Sequence, residues 1–164
     1  MEVEDGTLKI KPKKGYQIQS SKKIEITVPF QELEDISLAG SGNIKSENAI
    51  ESPKLKISVA GSGDLNLNVQ TKNLSSSVAG SGNVHLNGST NELTCSIAGS
   101  GNINAYELRS EIANLKIAGS GNAKVHASHE IHGSNVGSGN IYYIGNPTVV
   151  KVKSVGSGSV KSKG

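Results

Sequence analysis

Apolar and polar residues alternate with a period of two along most of this chain. Leu55, Ile57 and Val59 alternate with Lys56 and Ser58, and Leu65, Leu67 and Val69 with Asn66 and Asn68. Leu93, Cys95 and Ile97 alternate in the same way with Thr94 and Ser96. Successive side chains of a β-strand point to opposite faces, so this period predicts half-buried strands. β-Branched residues dominate the apolar positions, as a pleated, half-buried surface prefers. Gln31–Asp35 and Glu107–Asn114 offer at most one helical turn each, so the expected class is all-β.

The runs are punctuated by Gly-Ser-Gly, beginning at Gly40, Gly61, Gly80, Gly99, Gly119, Gly137 and Gly156. The copies lie 21, 19, 19, 20, 18 and 19 residues apart, and such regularity is the mark of a stacked repeat. Aligning the triplets exposes columns. Leu38, Val59, Val78, Ile97 and Ile117 stand two residues before the first glycine, and Ala39, Ala60, Ala79, Ala98 and Ala118 stand directly before it. Asn43, Asp64, Asn83, Asn102, Asn122, Asn140 and Ser159 follow the triplet, and the next position is apolar in every copy.

A repeat of this size cannot bury its apolar side alone, but stacked repeats can, with each column becoming a ladder of like residues. The arrangement that satisfies the pattern is a single-stranded parallel β-helix, or solenoid, of about seven coils of 18–21 residues. Equivalent strands would lie about 4.8 Å apart, giving a rod roughly 30–35 Å tall. The glycines would shape corners where backbones approach closely or φ is positive. The Asn column would bond along the stack.

The expected organisation is one domain over residues 1–164. Residues 1–30 would supply covering strands (Thr7–Ile10 and Lys23–Val28), residues 31–161 the stacked coils and residues 162–164 a tail. The last two repeats replace the Ala column with Val136 and Val155, the deviation expected where a solenoid ends. Tyr142, Tyr143 and Ile144 are candidates for closing that end.

Composition sharpens this picture. The chain is 34% hydrophobic and 3% aromatic with no Trp, which argues against a globular core of large side chains. Fourteen of its 20 glycines lie inside the triplets, so glycine is a periodic structural element here. The net charge is +3, Arg109 is the lone arginine and the lysines are scattered, which argues against a nucleic-acid interface. Cys95 is the only cysteine and excludes an internal disulfide. No apolar run is long enough to span a membrane, and Met1–Asp5 is too acidic to open a leader.

Candidate chemistry is sparse. The triplets lack the Gly-x-x-x-x-Gly-Lys-Ser/Thr and Gly-x-Gly-x-x-Gly spacings of phosphate loops. His126, His129 and His132 cluster, with His85 apart, but strand alternation puts His129 opposite the other two and no nearby Cys or Asp completes a zinc set. Glycoside hydrolysis wants paired carboxylates about 5–10 Å apart. Asp64 stands alone in the Asn column, Glu51, Glu92, Glu107, Glu111 and Glu130 sit in isolated turns, and Arg109 has no partner arginine. The triplet serines, Ser41 through Ser157, have no His column beside them, and Cys95 is expected to pack inward. No catalytic residue, metal or cofactor is therefore assigned, and ligand-binding residues are left open. What remains is a flat, repetitive face of Ser, Thr, Asn and Lys, suited to a glycan, a cell surface or a second copy of the chain.

The columns Val-Ala-Gly-Ser-Gly-Asn-Val with an alternating strand on either side resemble the head GIN domain family, a group associated with auto-transporter adhesin heads. Lys23–Gly42 resembles that family's approach to its first coil. The resemblance covers nearly the whole chain. It implies a right-handed β-helix, export to the cell surface, periplasm or medium after loss of a leader, and further strands before Thr7–Ile10. It brings no catalytic residues. The function it implies is a non-catalytic adhesin or surface-binding module. A carbohydrate-active, pectinase-like enzyme on the same scaffold and an envelope scaffold contacting other proteins are the competing readings.

Overall fold

The computed structural model describes residues 1–12, 15 and 24–164. Contacts divide the chain into two units, Met1–Phe30 and Gln31–Gly164. In the first, β1 (Glu2–Glu4) and β2 (Thr7–Lys9) pair antiparallel, with Glu4 opposite Thr7. The two-residue loop is Asp5-Gly6, both at positive φ (50° and 74°), the sequence and geometry that a tight hairpin requires. The strand expected at Thr7–Ile10 is thus present one residue shorter. The strand expected at Lys23–Val28 is not: residues 24–28 form none, and Lys23 lies outside the described residues. Alternation dictates which side chains share a face and does not by itself make a strand.

The second unit contains β3 (Asp35–Gly40), β4 (Asn43–Lys45), β5 (Ile50–Gly61), β6 (Asp64–Gly80), β7 (Asn83–Gly99) and β8 (Asn102–Gly119). It continues with β9 (Asn122–Gly137), β10 (Ile141–Ile144), β11 (Val149–Val155) and β12 (Val160–Ser162). Every pairing among them is parallel. Asp64 pairs with Asn83, and Asn83 with Asn102, so nineteen residues bring the chain back to a point one strand spacing away. That closure makes the unit a parallel β-solenoid, with the seven triplets stacked along it. Glu107–Asn114, where the pattern allowed a helical turn, runs inside β8, and Gln31–Glu34 holds no helix either.

The interior is built from columns of stacked side chains. Leu55, Leu74, Leu93, Ala113 and Ile131 are in register, as are Leu65, Val84, Ile103, Ala123 and Ile141, and all ten are buried. Each fully buried aliphatic contributes about 1.5–3 kcal/mol, which is how a chain poor in aromatics still acquires a core. The column Val59, Val78, Ile97, Ile117 ends in Asn135, which is fully buried, followed in register by Ser154. Asn135 Nδ2 donates to the Gly139 carbonyl at 2.6 Å, and Ser154 Oγ donates to the Gly158 carbonyl at 3.0 Å. The apolar column therefore stops in side chains that bond to their own corners.

The triplets form those corners. The first glycine of each has φ between 107° and 127°, a region L side chains rarely enter. At Gly61, Gly80, Gly99 and Gly119 its carbonyl accepts two N–H groups from the next triplet: Ser100 and Gly101 both donate to Gly80 O at 2.9 Å. A Cβ at Gly101 would lie 2.4 Å from Gly82 O and 2.5 Å from Val78 Cγ1. At Gly42, in the first triplet, the nearest atom would be Leu38 Cδ1 at 3.5 Å, and φ is ordinary. Gly101→Ala should consequently lower stability by about 3 kcal/mol, the upper range for overpacking, whereas Gly42→Ala should change it by less than about 1 kcal/mol. Urea denaturation of the two variants measures this contrast, and equal losses would contradict the stacking geometry.

Candidate binding trough

The Asn column bonds as a continuous ladder. Asn83 Nδ2 donates to Asp64 Oδ1 (2.8 Å), Asn102 Nδ2 to Asn83 Oδ1 (3.0 Å) and Asn122 Nδ2 to Asn102 Oδ1 (3.0 Å). Asn140 Nδ2 continues it to Asn122 Oδ1 (3.0 Å), and Ser159 Oγ closes it on Asn140 Oδ1 (2.8 Å). The backbone N–H groups of Asn122, Asn140 and Ser159 bond to the same oxygens, each at 3.1 Å. The Oδ1 atoms of Asn102, Asn122 and Asn140 therefore accept twice, their ordinary capacity. Each Nδ2 uses one of its two protons in the ladder, leaving a second N–H per coil.

Two positions beyond the ladder runs a second outward row, in register from His85 to Asn104, Lys124 and Tyr142, with Lys161 after it. Between the two rows lies a trough of about 510 Å³, lined by the four asparagines of the ladder and by His85, Asn104, Lys124 and Tyr142. A smaller hollow of about 230 Å³, bordered by Asn66, Asn87 and Glu107, shares His85 and Asn104 with it.

An irregularity in β8 brings Tyr106 beside the trough residue Lys124. Ala105 pairs with Val125 and Arg109 with His126, so Tyr106, Glu107 and Leu108 bulge outside the register with β9. Leu108 turns inward and is buried, while Tyr106 stays half-buried at the surface. Lys124 Nζ sits 5.9 Å from the centroid of the Tyr106 ring, and Lys163 Nζ 5.4 Å from that of Tyr142. Partial burial pushes the Tyr106 hydroxyl above its usual range, and the neighbouring Tyr142 adds to the shift. Aromatic faces and ammonium groups thus alternate at one end of the trough.

Residues 1–147 match the model of the family described as "Putative auto-transporter adhesin, head GIN domain". The chain belongs to the head GIN domain family. Solved structures similar to this head GIN domain include a "putative adhesin" from Bacteroides fragilis (TM-score 0.77, 29% identity, covering 80% of this chain and 61% of that one). Another, from Parabacteroides distasonis, is called a "putative lipid binding protein" (TM-score 0.77, 35% identity, 79% and 53% covered). A third, from Parabacteroides merdae, is called a "putative adhesin" (TM-score 0.62, 27% identity, 80% and 64% covered). The chain spans less than two thirds of the length of each. No curated protein matches it in sequence.

The residues that the sequence singled out in this head GIN domain fall in different places. His85 and Tyr142 line the trough. His126, His129 and His132 do not converge: His132 Nε2 bonds to Glu130 Oε2 at 2.7 Å, and His129 Nδ1 to Ser128 Oγ at 2.9 Å. Among the described residues no three His, Cys, Asp or Glu side chains gather as a metal site would need. The triplet serines are exposed and, from Ser62 onward, Ser62, Ser81, Ser100, Ser120 and Ser138 donate their N–H groups to the preceding triplet, so those amides are spent on stacking. Asp64 starts the ladder as an acceptor. Tyr106 was not singled out by its sequence; the signal it left is the 20-residue spacing between Gly99 and Gly119 beside a 19-residue and an 18-residue neighbour.

Cys95 is buried between Ser76 and Leu115, and desolvation pushes its thiol up from 9.0 to about 12. Between those values the unfolded thiol ionises and the folded one does not, so the group's stabilising contribution is complete below pH 9 and is lost as pH rises toward 12. Wild-type stability should fall faster than that of Cys95→Ala over this window, by about 1.4 kcal/mol per pH unit. Parallel pH slopes in chemical denaturation would contradict the burial. Asn102→Leu should cost about 3 kcal/mol, because it breaks three ladder bonds worth about 1 kcal/mol each. An unchanged melting temperature would show that the ladder contributes nothing.

Proposed function

We propose that this head GIN domain is a non-catalytic surface-binding module of an exported protein, and that it holds an extended polar ligand, a glycan, along the trough. The observation that carries the reading is the trough's repeat. From Asn83 to Asn140 it crosses four coils, about 15 Å at the spacing of parallel strands, and offers the same amide group at each step. A ligand that is itself a chain of similar units can meet such a site at several points at once. Tyr142 and Tyr106 supply flat apolar faces beside hydrogen-bonding groups, the pairing that sugar rings require. The adhesin names of the Bacteroides fragilis and Parabacteroides merdae proteins support the surface role.

Binding without turnover fits the distribution of carboxylates. Glu107 is the one carboxylate lining either hollow, whereas glycoside hydrolysis uses two across the scissile bond. A glycan array probed with the purified protein, alongside a reducing-end assay on the glycans it captures, tests the proposal. The expected result is capture of a defined glycan class, loss of capture in Tyr142→Ala, and no new reducing ends. Cleavage of a captured glycan would install the enzyme reading instead, and silence across the array with capture of envelope proteins would favour the scaffold.

A further inference from the structure

The trough is one-sided in its hydrogen bonding. In the ladder the acceptor oxygens of Asn102, Asn122 and Asn140 are fully used, each taking a side-chain donor and a backbone or second donor from the next coil. What those asparagines retain toward the trough is one amide N–H apiece. The opposite row adds the ammonium group of Lys124, and Lys161 and Lys163 stand next to Tyr142. Lys9, Lys11 and Lys56 are each paired with a carboxylate, but among the described residues no carboxylate pairs with Lys124, Lys161 or Lys163. Glu107 borders only the smaller hollow. Donors and positive charge therefore dominate one end of the trough, and acceptors are scarce along the ladder.

Such a surface is matched by a partner rich in acceptors and negative charge, because charge-assisted bonds from amide and ammonium groups are strongest to anionic oxygens. We infer that the ligand is a polyanionic polysaccharide, carrying carboxylate or sulfate groups, whose anionic oxygens meet the Asn ladder and Lys124 while its rings lie against Tyr106 and Tyr142. The inference rests on the trough being the binding face. It goes further by setting the charge of the ligand and the end of the trough that reads it. Stacking against a tyrosine that also holds a lysine places an anionic group beside each ring face, and a neutral chain would leave those lysines unanswered.

Affinity electrophoresis and titration calorimetry with polygalacturonate, its fully methyl-esterified form, heparin and single-stranded DNA test this. The protein should bind polygalacturonate or heparin, the stronger of the two telling carboxylate from sulfate, and bind the esterified polymer at least about tenfold more weakly. Lys124→Gln combined with Lys163→Gln should weaken binding about tenfold with an unchanged melting temperature, as should Tyr106→Ala. Lys116→Gln combined with Lys153→Gln removes the same charge from the face carrying the serines in register with them, and should leave binding intact. Equal binding of the esterified polymer, an equal loss in the Lys116/Lys153 variant, or DNA binding as tight as that of the polysaccharides would overturn the inference. A neutral glycan captured in a Tyr142-dependent way would overturn it while leaving the trough as the binding face. Absence of binding to any glycan, charged or neutral, would remove both.

Discussion

One carbonyl oxygen per coil carries the architecture. The first glycine of each middle triplet, Gly61, Gly80, Gly99 and Gly119, points its C=O along the stack and receives two N–H groups from the triplet of the next coil, and Gly40 and Gly137 receive one each. This contact requires the backbones to approach so closely that a Cβ on either glycine would fall 2.0–2.6 Å from a carbonyl oxygen in every triplet after the first. Glycine is the only residue that permits it, and so the position of each corner is written into the sequence residue by residue. Once corners coincide, strand register follows, and with register come the columns. Leucine falls on leucine in the interior and asparagine on asparagine outside.

That dependence explains why much of the fold could be read without coordinates. The triplets, the alternation and the Asn column are periodic, and periodicity is what a linear sequence displays best. The features that escaped were local breaks in the repeat. Tyr106–Leu108 bulges because β8 holds two residues more per coil than β9, and no column alignment says which residues are displaced or which way they face. Asn135 occupies an interior position that aliphatic residues fill elsewhere, and only its bonds to Gly139 and Ser154 make sense of it. Ile24, Ile26 and Val28 alternate as well as any strand in the chain, yet residues 24–28 form none.

The proposed binding face was half legible for the same reason. Outward rows of Asn and Lys were visible as a polar surface, but the gap they flank is three-dimensional information. The ladder also has a consequence for chemistry that composition hides. Asparagine alone is as much acceptor as donor. Stacked in register, it spends its acceptors on its neighbours and presents the remaining N–H, so a structural device of the solenoid sets the polarity of the trough.

The stacking of corners can be measured directly by cross-linking. In a Cys95→Ala background, cysteines placed at Ser81 and Ser100 would have Cα atoms about 4.8 Å apart, inside the range a disulfide spans, whereas Ser62 and Ser100 would be about twice as far. Mild oxidation should close the Ser81/Ser100 pair quantitatively and leave the Ser62/Ser100 pair as free thiols by mass spectrometry. Failure of the first pair to close, or equal closure of both, would contradict coils that superimpose on their glycines.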